Sequence, residues 1–496
     1  MAITAGGLLN SVPSAIQATL STNYLDLASA SNAGWSQQYV PDLMEKEAEV
    51  FGPRTITGFL SQVGAEEAMT ADQVVWSEQG RLHLSYTCTM TDNNGVITGG
   101  TTTGKVTITD HIDTNATYVA ASHGIRVNDT VIIANPEATI KALVTEVSSD
   151  VVEVTPYGVA DCSAITDGKT DCVIFVYGSE FAKGKSYSAA DATATEQRGA
   201  NEPKFKSYSN KPIIIKDYYE VSGSDASRIG WVEIAAEDGK SGYLWYLKAE
   251  SDTRSRFTDY LEMAMIEGEL GVHGTDGVDN FLGTAGDSVG TQGLFAAIES
   301  RGNMSSGITG VNAATDLAEF DAILAEFDKQ GAIEENMMFV NRATSLAIDD
   351  MLASMNSYGA GGTSYGVFNN DEDMALNLGF SGFRRGSYDF YKSDFRYLND
   401  KATRGGINDA AGANAIRGVM IPAGTSTVYD QSLGKNLKRP FLHVRYRASN
   451  TDNRKMKTWV TGSVGATTSA LDAMSVHFLS ERCLITQGAN NFMLLN

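Results

Sequence analysis

The stretch that decides the fold reads GKSGYLWYLKAESDTRSRFTDYLEMAMIEGEL, residues Gly239 to Leu270. It opens on the turn pair Asp238-Gly239, contains no proline, and carries no glycine between Gly242 and Gly268. At 1.5 Å per residue a helix over the whole stretch is about 45 Å long, more than a globular helix usually spans. Its apolar residues gather at the two ends: Tyr243, Leu244, Trp245, Tyr246 and Leu247 first, then Phe257, Tyr260, Leu261, Met263, Met265 and Ile266. The middle, Lys248 to Arg256, is almost wholly polar. A helix inside a compact core keeps one continuous apolar stripe, so this one reads as a bar gripped at both ends with a waist facing water or a partner. Two shorter helices broken near Glu250 are the alternative, although no proline or glycine marks the break.

Upstream the period changes from helix to strand. Gln73 to Ser77 and Arg81 to Tyr86 alternate around Gln79-Gly80. From Cys88 to Tyr187 the chain is rich in Thr, Val, Ile and Gly, with short strands expected at 104–110, 130–134, 142–147, 151–155 and 172–177. Turn signals at Asn93-Asn94-Gly95, Val127-Asn128-Asp129 and Asp167-Gly168 separate them. Strands at this spacing suggest a small all-β barrel or sandwich of roughly 90 residues, inserted into the rest. Lys211 to Val221 is a further strand, expected to pair with those near Trp76 and Leu82 as the second leg of a long β-arm. Residues 1–50 read as an extended or part-helical arm, with a short helix from Pro41 to Gly52.

Downstream, Gly271 to Asn280 is a glycine- and aspartate-rich loop. Asp316 to Gln330 is an amphipathic helix with Leu317, Phe320, Leu324 and Phe327 on one side, and Gly331 stops it. Asn336 to Val340 is a strand, and Asn341 is placed to cap a second helix carrying Ile348, Met351, Leu352 and Met355. Strands are expected at 387–392, 417–422 and 441–447, and Trp459 to Asn496 is again apolar strand.

Charge is uneven along the 496 residues, whose net is −22. Ser381 to Val460 holds fifteen Lys and Arg against six Asp and no Glu, a net +9, which leaves −31 elsewhere. A chain this acidic repels nucleic acid as a whole. The basic module reads first as a contact for acidic surfaces of other copies of the chain, with a solvated face or a polyanion as alternatives. No apolar run is long enough to cross a membrane. The start, Met1 to Gly7, lacks the pattern of a signal peptide, so synthesis and retention in a cytoplasm are expected. The four cysteines, Cys88, Cys162, Cys172 and Cys483, fit neither a disulfide framework nor a zinc knuckle and read as buried thiols.

Motifs for chemistry fail on context. Gly362-Thr363-Ser364-Tyr365-Gly366 matches G-x-S-x-G, but a glycine-rich loop precedes it where a nucleophile elbow needs a strand. Gly178 to Ser186 has five residues where a phosphate loop has four. Six histidines form no ligand spacing, and Asp276, Asp279 and Asp287 lack the alternating oxygens of a calcium loop. Met338, Met351 and Met355 read as core packing. No catalytic, cofactor-binding or metal-ligating residue is assigned, and the expectation is a protein that is not an enzyme.

The order of parts resembles the HK97-fold major capsid proteins of tailed phages. A loose arm leads to a long β-hairpin, then a long helix, a glycine-rich loop, an α+β domain and a final return of strands. Val50 to Thr55 through Leu84 to Tyr86, and Lys211 to Val221 with the helix behind it, look like the members from crAss-like phages. The resemblance implies an α+β fold with an N-arm at 1–55, the first leg of a β-hairpin E-loop at 56–87 and an inserted all-β domain at 88–201. The second E-loop leg follows at 202–228, a P-domain with the spine helix at 229–299, an α+β A-domain at 300–450 and a return to the P-domain at 451–496. It implies a subunit that assembles with itself into pentamers and hexamers of an icosahedral head in the host cytoplasm and ends in the virion. Double-stranded DNA is then enclosed without sequence-specific binding, with portal, scaffolding and auxiliary or head-fibre proteins as partners and no membrane or cofactor. The candidates for contacts between subunits are Trp76, Arg81, His83, Tyr218 and Tyr219 on the arm, Arg254 and Arg256 at the helix waist, and Lys438, Arg439, Arg445 and Arg447 in the basic segment. Alternatives are an encapsulin-like shell, another phage structural protein, or a carbohydrate-binding or hydrolytic protein built on the β domain and the Ser364 loop.

Overall fold

The computed structural model describes residues 65–79, 85–96, 102–111, 118–184, 205–227, 234–235, 241–242, 245–271, 289–330, 333–355, 382–423, 425–430, 435–464 and 467–496. The N-arm, Arg81, His83, the 276–287 aspartates and the Ser364 loop therefore lie outside the described residues. The chain divides into two compact units, one formed by residues 1–76 and 208–496 and the other by Ser77 to Ser207.

In the larger unit, β1 (Ala65–Met69), β20 (Leu442–Arg447), β22 (Ala473–Thr486) and β10 (Ile213–Ser222) form a sheet in that order, with β21 (Lys457–Gly462) also paired to β22. The 14-residue β22 is its axis, bonded to β10 along one edge and to β21 and β20 end to end along the other. Lys211 to Val221 thus supplies the edge strand of this sheet. Among the described residues its partner is β22, not the strand at Trp76. The hairpin-like partner of β2 (Val74–Gln79) is instead β9 (Phe205–Asn210).

The expected long helix is continuous from Trp245 to Glu267 and is named α1. It is shorter than Gly239 to Leu270 at both ends. Ser241–Gly242 (β12) pairs with Ile234–Ala235 (β11), which holds the chain extended before the helix. At the other end Gly268 stops it; a Cβ there would lie 2.5 Å from the Ala264 carbonyl oxygen and 2.7 Å from that of Thr291. No break occurs near Glu250, and Thr253 returns its hydroxyl to the Ala249 carbonyl within the waist (2.8 Å). Past the waist, Phe257 and Leu261 pack on Val476 and Phe478 of β22. The side chains of residues 245–248 lie outside the described set.

A second, six-stranded sheet has the order β13 (Asn303–Ser305), β23 (Met493–Leu495), β17 (Gly418–Pro422), β14 (Glu335–Val340), β16 (Tyr388–Asp394), β15 (Gly382–Arg385). Alternation along its strands separates two cores. Met338, Val340 and Met420 face Phe320, Phe327, Ile348 and Met351 of helices α3 (Ala313–Gln330) and α4 (Arg342–Met355). Phe339, Val419, Ile421 and Leu494 face the end of α1, helix α2 (Leu294–Arg301) and Leu442, Val444 and Leu484 of the first sheet. Asn341 caps α4 as expected, accepting from the Thr344 amide at 2.8 Å. Helix α3 starts before Asp316 because Asn312 accepts from the Ala314 amide. Asp316 and Glu319 instead hold the preceding loop, accepting from the Gly310 and Ile308 amides. Helix α5 (Arg404–Ala411) and the ribbon of β18 (Thr425–Asp430) with β19 (Lys435–Pro440) also belong to this unit.

The smaller unit is a closed barrel, in the order β3 (Ser85–Val96), β4 (Thr102–His111), β7 (Val151–Pro156), β6 (Thr139–Ser148), β5 (Asp129–Ala134), β8 (Cys172–Ser179). Closure removes the open strand edges that a small sheet would otherwise present. Inward positions are apolar and fully buried, among them Met90, Val106, Val131, Ala142, Val152 and Ile174, while the loop after β7 supplies Cys162 and Ile165 to the same core.

Candidate assembly surface

The first sheet has two faces of different character. One packs on α1 through Ile215, Phe478 and Val476. On this face Tyr219 is 6% exposed, and Asp217 pairs with Arg256 of α1 at 3.1 Å. Tyr219 and Arg256, both expected between subunits, are therefore engaged inside the chain. Side chains of a strand alternate, so the register that turns Tyr219 inward turns its neighbour outward.

Among the described residues, that outer face is covered at one end only. There Met69, Cys483 and Ile485 pack against Trp76 of β2, flanked by Val74 and Tyr208. Trp76 is 8% exposed, and the Arg301 guanidinium stands 5.5 Å from its ring centre and 4.5 Å from that of Tyr208. Trp76 is thus a core residue; a stacked cation and a closed apolar cluster remove its surface from any neighbour. The other end of the face is open. Tyr218, His477 and Trp459 occupy one rung across β10, β22 and β21. Tyr218 lies 5.9 Å from His477, Trp459 lies 5.2 Å from it, and both are stacked. The Thr461 hydroxyl and His477 Nε2 are 2.7 Å apart. Tyr218 is 60% exposed, Trp459 36% and nearby Ile214 51%.

The basic segment is neutralised largely from within. Arg445 pairs with Glu67 at 2.9 Å, and Arg447 pairs with Asp72 and with Glu481. Arg454 holds the other Glu481 oxygen at 2.6 Å, Lys455 pairs with Glu66, and Lys457 with Asp452. Arg445 and Arg447 were expected to meet acids on other copies. The sheet register brings Glu67 opposite Arg445 and Met69 opposite Arg447, so the acids come from the same chain. Of the remaining candidates, Arg254 is exposed on the waist of α1. Lys438 and Arg439 lie on β19 opposite Thr427 and Ser426, with side chains outside the described set.

His477 and Trp459 were not among the candidates from sequence. Trp459 stands in an exposed edge strand, and His477 joins the group only through a register between distant segments. A buried carboxylate lies elsewhere, at the end of α1. Glu267 accepts from the Tyr397 hydroxyl and from Arg404, both at 2.8 Å. Burial raises its carboxyl above the ordinary range, opposed by the tyrosine bond and the arginine charge. Among the described residues no group of three His, Cys, Asp or Glu is placed to hold a metal ion, and no helix is long and apolar enough to cross a membrane.

No protein-family model matches the chain, and no curated protein matches it. Among solved structures, a chain from Microbacterium phage Oxtober96 is similar over 95% of this chain and 99% of its own, at 9% identity and a TM-score of 0.38. One from Mycobacterium phage Bobi is similar over 91% and 95%, at 9% identity and 0.34. One from the asymmetric unit of the bacteriophage PhiM1 mature capsid is similar over 64% and 79%, at 8% identity and 0.32.

Proposed function

We propose that this chain is the major subunit of an icosahedral phage head and assembles with itself into pentamers and hexamers around double-stranded DNA. The observation that carries the reading is the half-open outer face of the first sheet. Its free end presents the stacked Tyr218, His477 and Trp459 beside exposed Ile214. Large aromatics on an open sheet face mark a surface that another chain covers. The opposite face is stiffened by the 23-residue α1, which suits a subunit that transmits load between neighbours. A shell subunit bonds to several copies at once and needs separate surfaces for them.

The finer assignments belong to the same proposal. Residues 1–55 are the N-arm, and 56–87 and 202–228 the E-loop legs. Residues 88–201 are an inserted domain, 229–299 and 451–496 the P-domain, and 300–450 the A-domain, with crAss-like phages as the lineage. Tyr218, Arg254, Lys438 and Arg439 remain the proposed contacts between subunits, together with Arg81 and His83. Portal, scaffolding and auxiliary proteins are the further partners. The net charge of −22 keeps the shell from gripping its DNA.

The test pairs the parent chain with Tyr218→Asp and Trp459→Asp. Both residues are surface-exposed in the single chain, so folding by circular dichroism is expected to survive while assembly in light scattering falls at least tenfold. Full assembly of both variants would remove this face from the contact.

A further inference from the structure

The barrel brings two thiols to one rung. Cys88 of β3 and Cys172, the first residue of β8, stand directly opposite one another in the antiparallel ladder that closes the ring. Both are fully buried in the same apolar core, so both side chains point to the inside of the barrel. Opposed residues of an antiparallel pair have Cα atoms about 4.5 or 5.5 Å apart, depending on the rung. Both values fall within the span of about 4.4–6.8 Å that a disulfide accepts. The backbone also has some latitude here. The pairing of β3 with β4 shifts register between Thr87 and Cys88, and the Cys88–Cys172 rung is the last of the β3–β8 ladder. Both cysteines are free in the structure, and the Cys172 thiol points to the Lys169 carbonyl at 3.6 Å, a weak contact that a rotation about its Cα–Cβ bond releases.

The other two thiols stand apart. Cys162 packs on Gly104 of β4, so closely that a Cβ at Gly104 would lie 2.7 Å from its sulfur. Cys483 belongs to the other unit and sits 4.0 Å from the Met69 sulfur. Only one pair therefore has a rung in common.

We propose that Cys88 and Cys172 form a disulfide when the protein meets a small disulfide oxidant such as oxidised glutathione. The bond staples the first barrel strand to the last, at the seam where the ring closes. In the first exchange a cysteine thiolate attacks the oxidant, forms a mixed disulfide and releases one glutathione thiolate. In the second the other cysteine attacks the mixed disulfide, closes the Cys88–Cys172 bond and releases the second. The two thiol protons end on the two glutathione molecules, and the oxidant is reduced by the two electrons that the protein loses. Burial raises both thiols above their ordinary value, so exchange is slow in the closed barrel and quickens with rising pH. Joining strands so far apart in sequence restricts the unfolded chain and makes the oxidised barrel harder to unfold. This inference goes beyond the shell reading and does not rest on it.

The test incubates the full reduced chain with oxidised glutathione at mildly alkaline pH and counts thiols after denaturation. The chain starts with four. The expected result is a fall from four thiols to two, one linked peptide pair containing Cys88 and Cys172, and a higher barrel melting temperature that reductant reverses. Cys88→Ser and Cys172→Ser are each expected to keep all their remaining thiols. Should either variant fail to fold, the peptide map of the parent chain decides alone. Four surviving thiols, glutathione mixed disulfides without the link, or a link through Cys162 or Cys483 would each overturn the proposal.

Discussion

Two carboxylates respond to pH with opposite signs. Glu137, in the barrel, is lowered from 4.5 to about 2, first by its bond to Lys169 and then by the amide and hydroxyl of Thr166. Its folded pKa lies below its unfolded one, so its contribution is present above 4.5 and is lost as pH falls toward about 2. Glu137→Gln is expected to flatten the barrel's loss of stability across that window, read as melting temperature against pH. Glu267 is shifted the other way by burial. Its contribution is complete below the ordinary value of 4.5 and is lost as pH rises through the raised folded value. Glu267→Gln is expected to remove that decline, seen in denaturant titrations from acid to neutral pH. A third residue, Asn210, acts as a buried knot. Its amide donates to the Gln292 and Leu484 carbonyls and accepts from the Lys211 and Gln292 amides. Asn210→Leu strands these groups and is expected to cost roughly 3 kcal/mol, measured by urea unfolding.

At the scale of elements, α1 is held to β22 by apolar packing. Phe257 is fully buried, 5.8 Å from the Phe478 ring. Phe257→Ala is expected to cost about 3–5 kcal/mol, read by denaturant unfolding of the full chain. The helix was legible because its run lacks proline and its interior lacks glycine, while its stop at Gly268, short of Leu270, was not. Asn341 was legible as a cap, and β7 begins at Val151 as its valine alternation requires. What the sequence hid was partnership. Alternation along Lys211 to Val221 says that Tyr218 and Tyr219 face opposite ways, yet not that the strand pairs with β22 from the far end of the chain. It could not say which face α1 covers, nor therefore that Tyr219 turns inward. For the same reason it could not show that Trp76 is covered by Arg301 and Ile485. The +9 segment was legible as basic. Its acids Glu66, Glu67 and Asp72 lie far upstream, and only the parallel pairing of β1 with β20 brings them beside it.

On the scale of the molecule, the chain is two compact units with separate cores, and the barrel closes on itself. Residues 77–207 expressed alone are expected to give a dispersed NMR spectrum, because among the described residues no barrel strand borrows a partner from outside the ring; a collapsed spectrum would show that it needs the larger unit to fold. A shell subunit must associate with its own copies. Negative-stain electron microscopy of the purified chain, with light scattering over a rising concentration series, tests it most directly. Closed shells, or rings of five and six subunits, are the expected result. A monomer at every concentration, with no rings or shells on the grid, would contradict it.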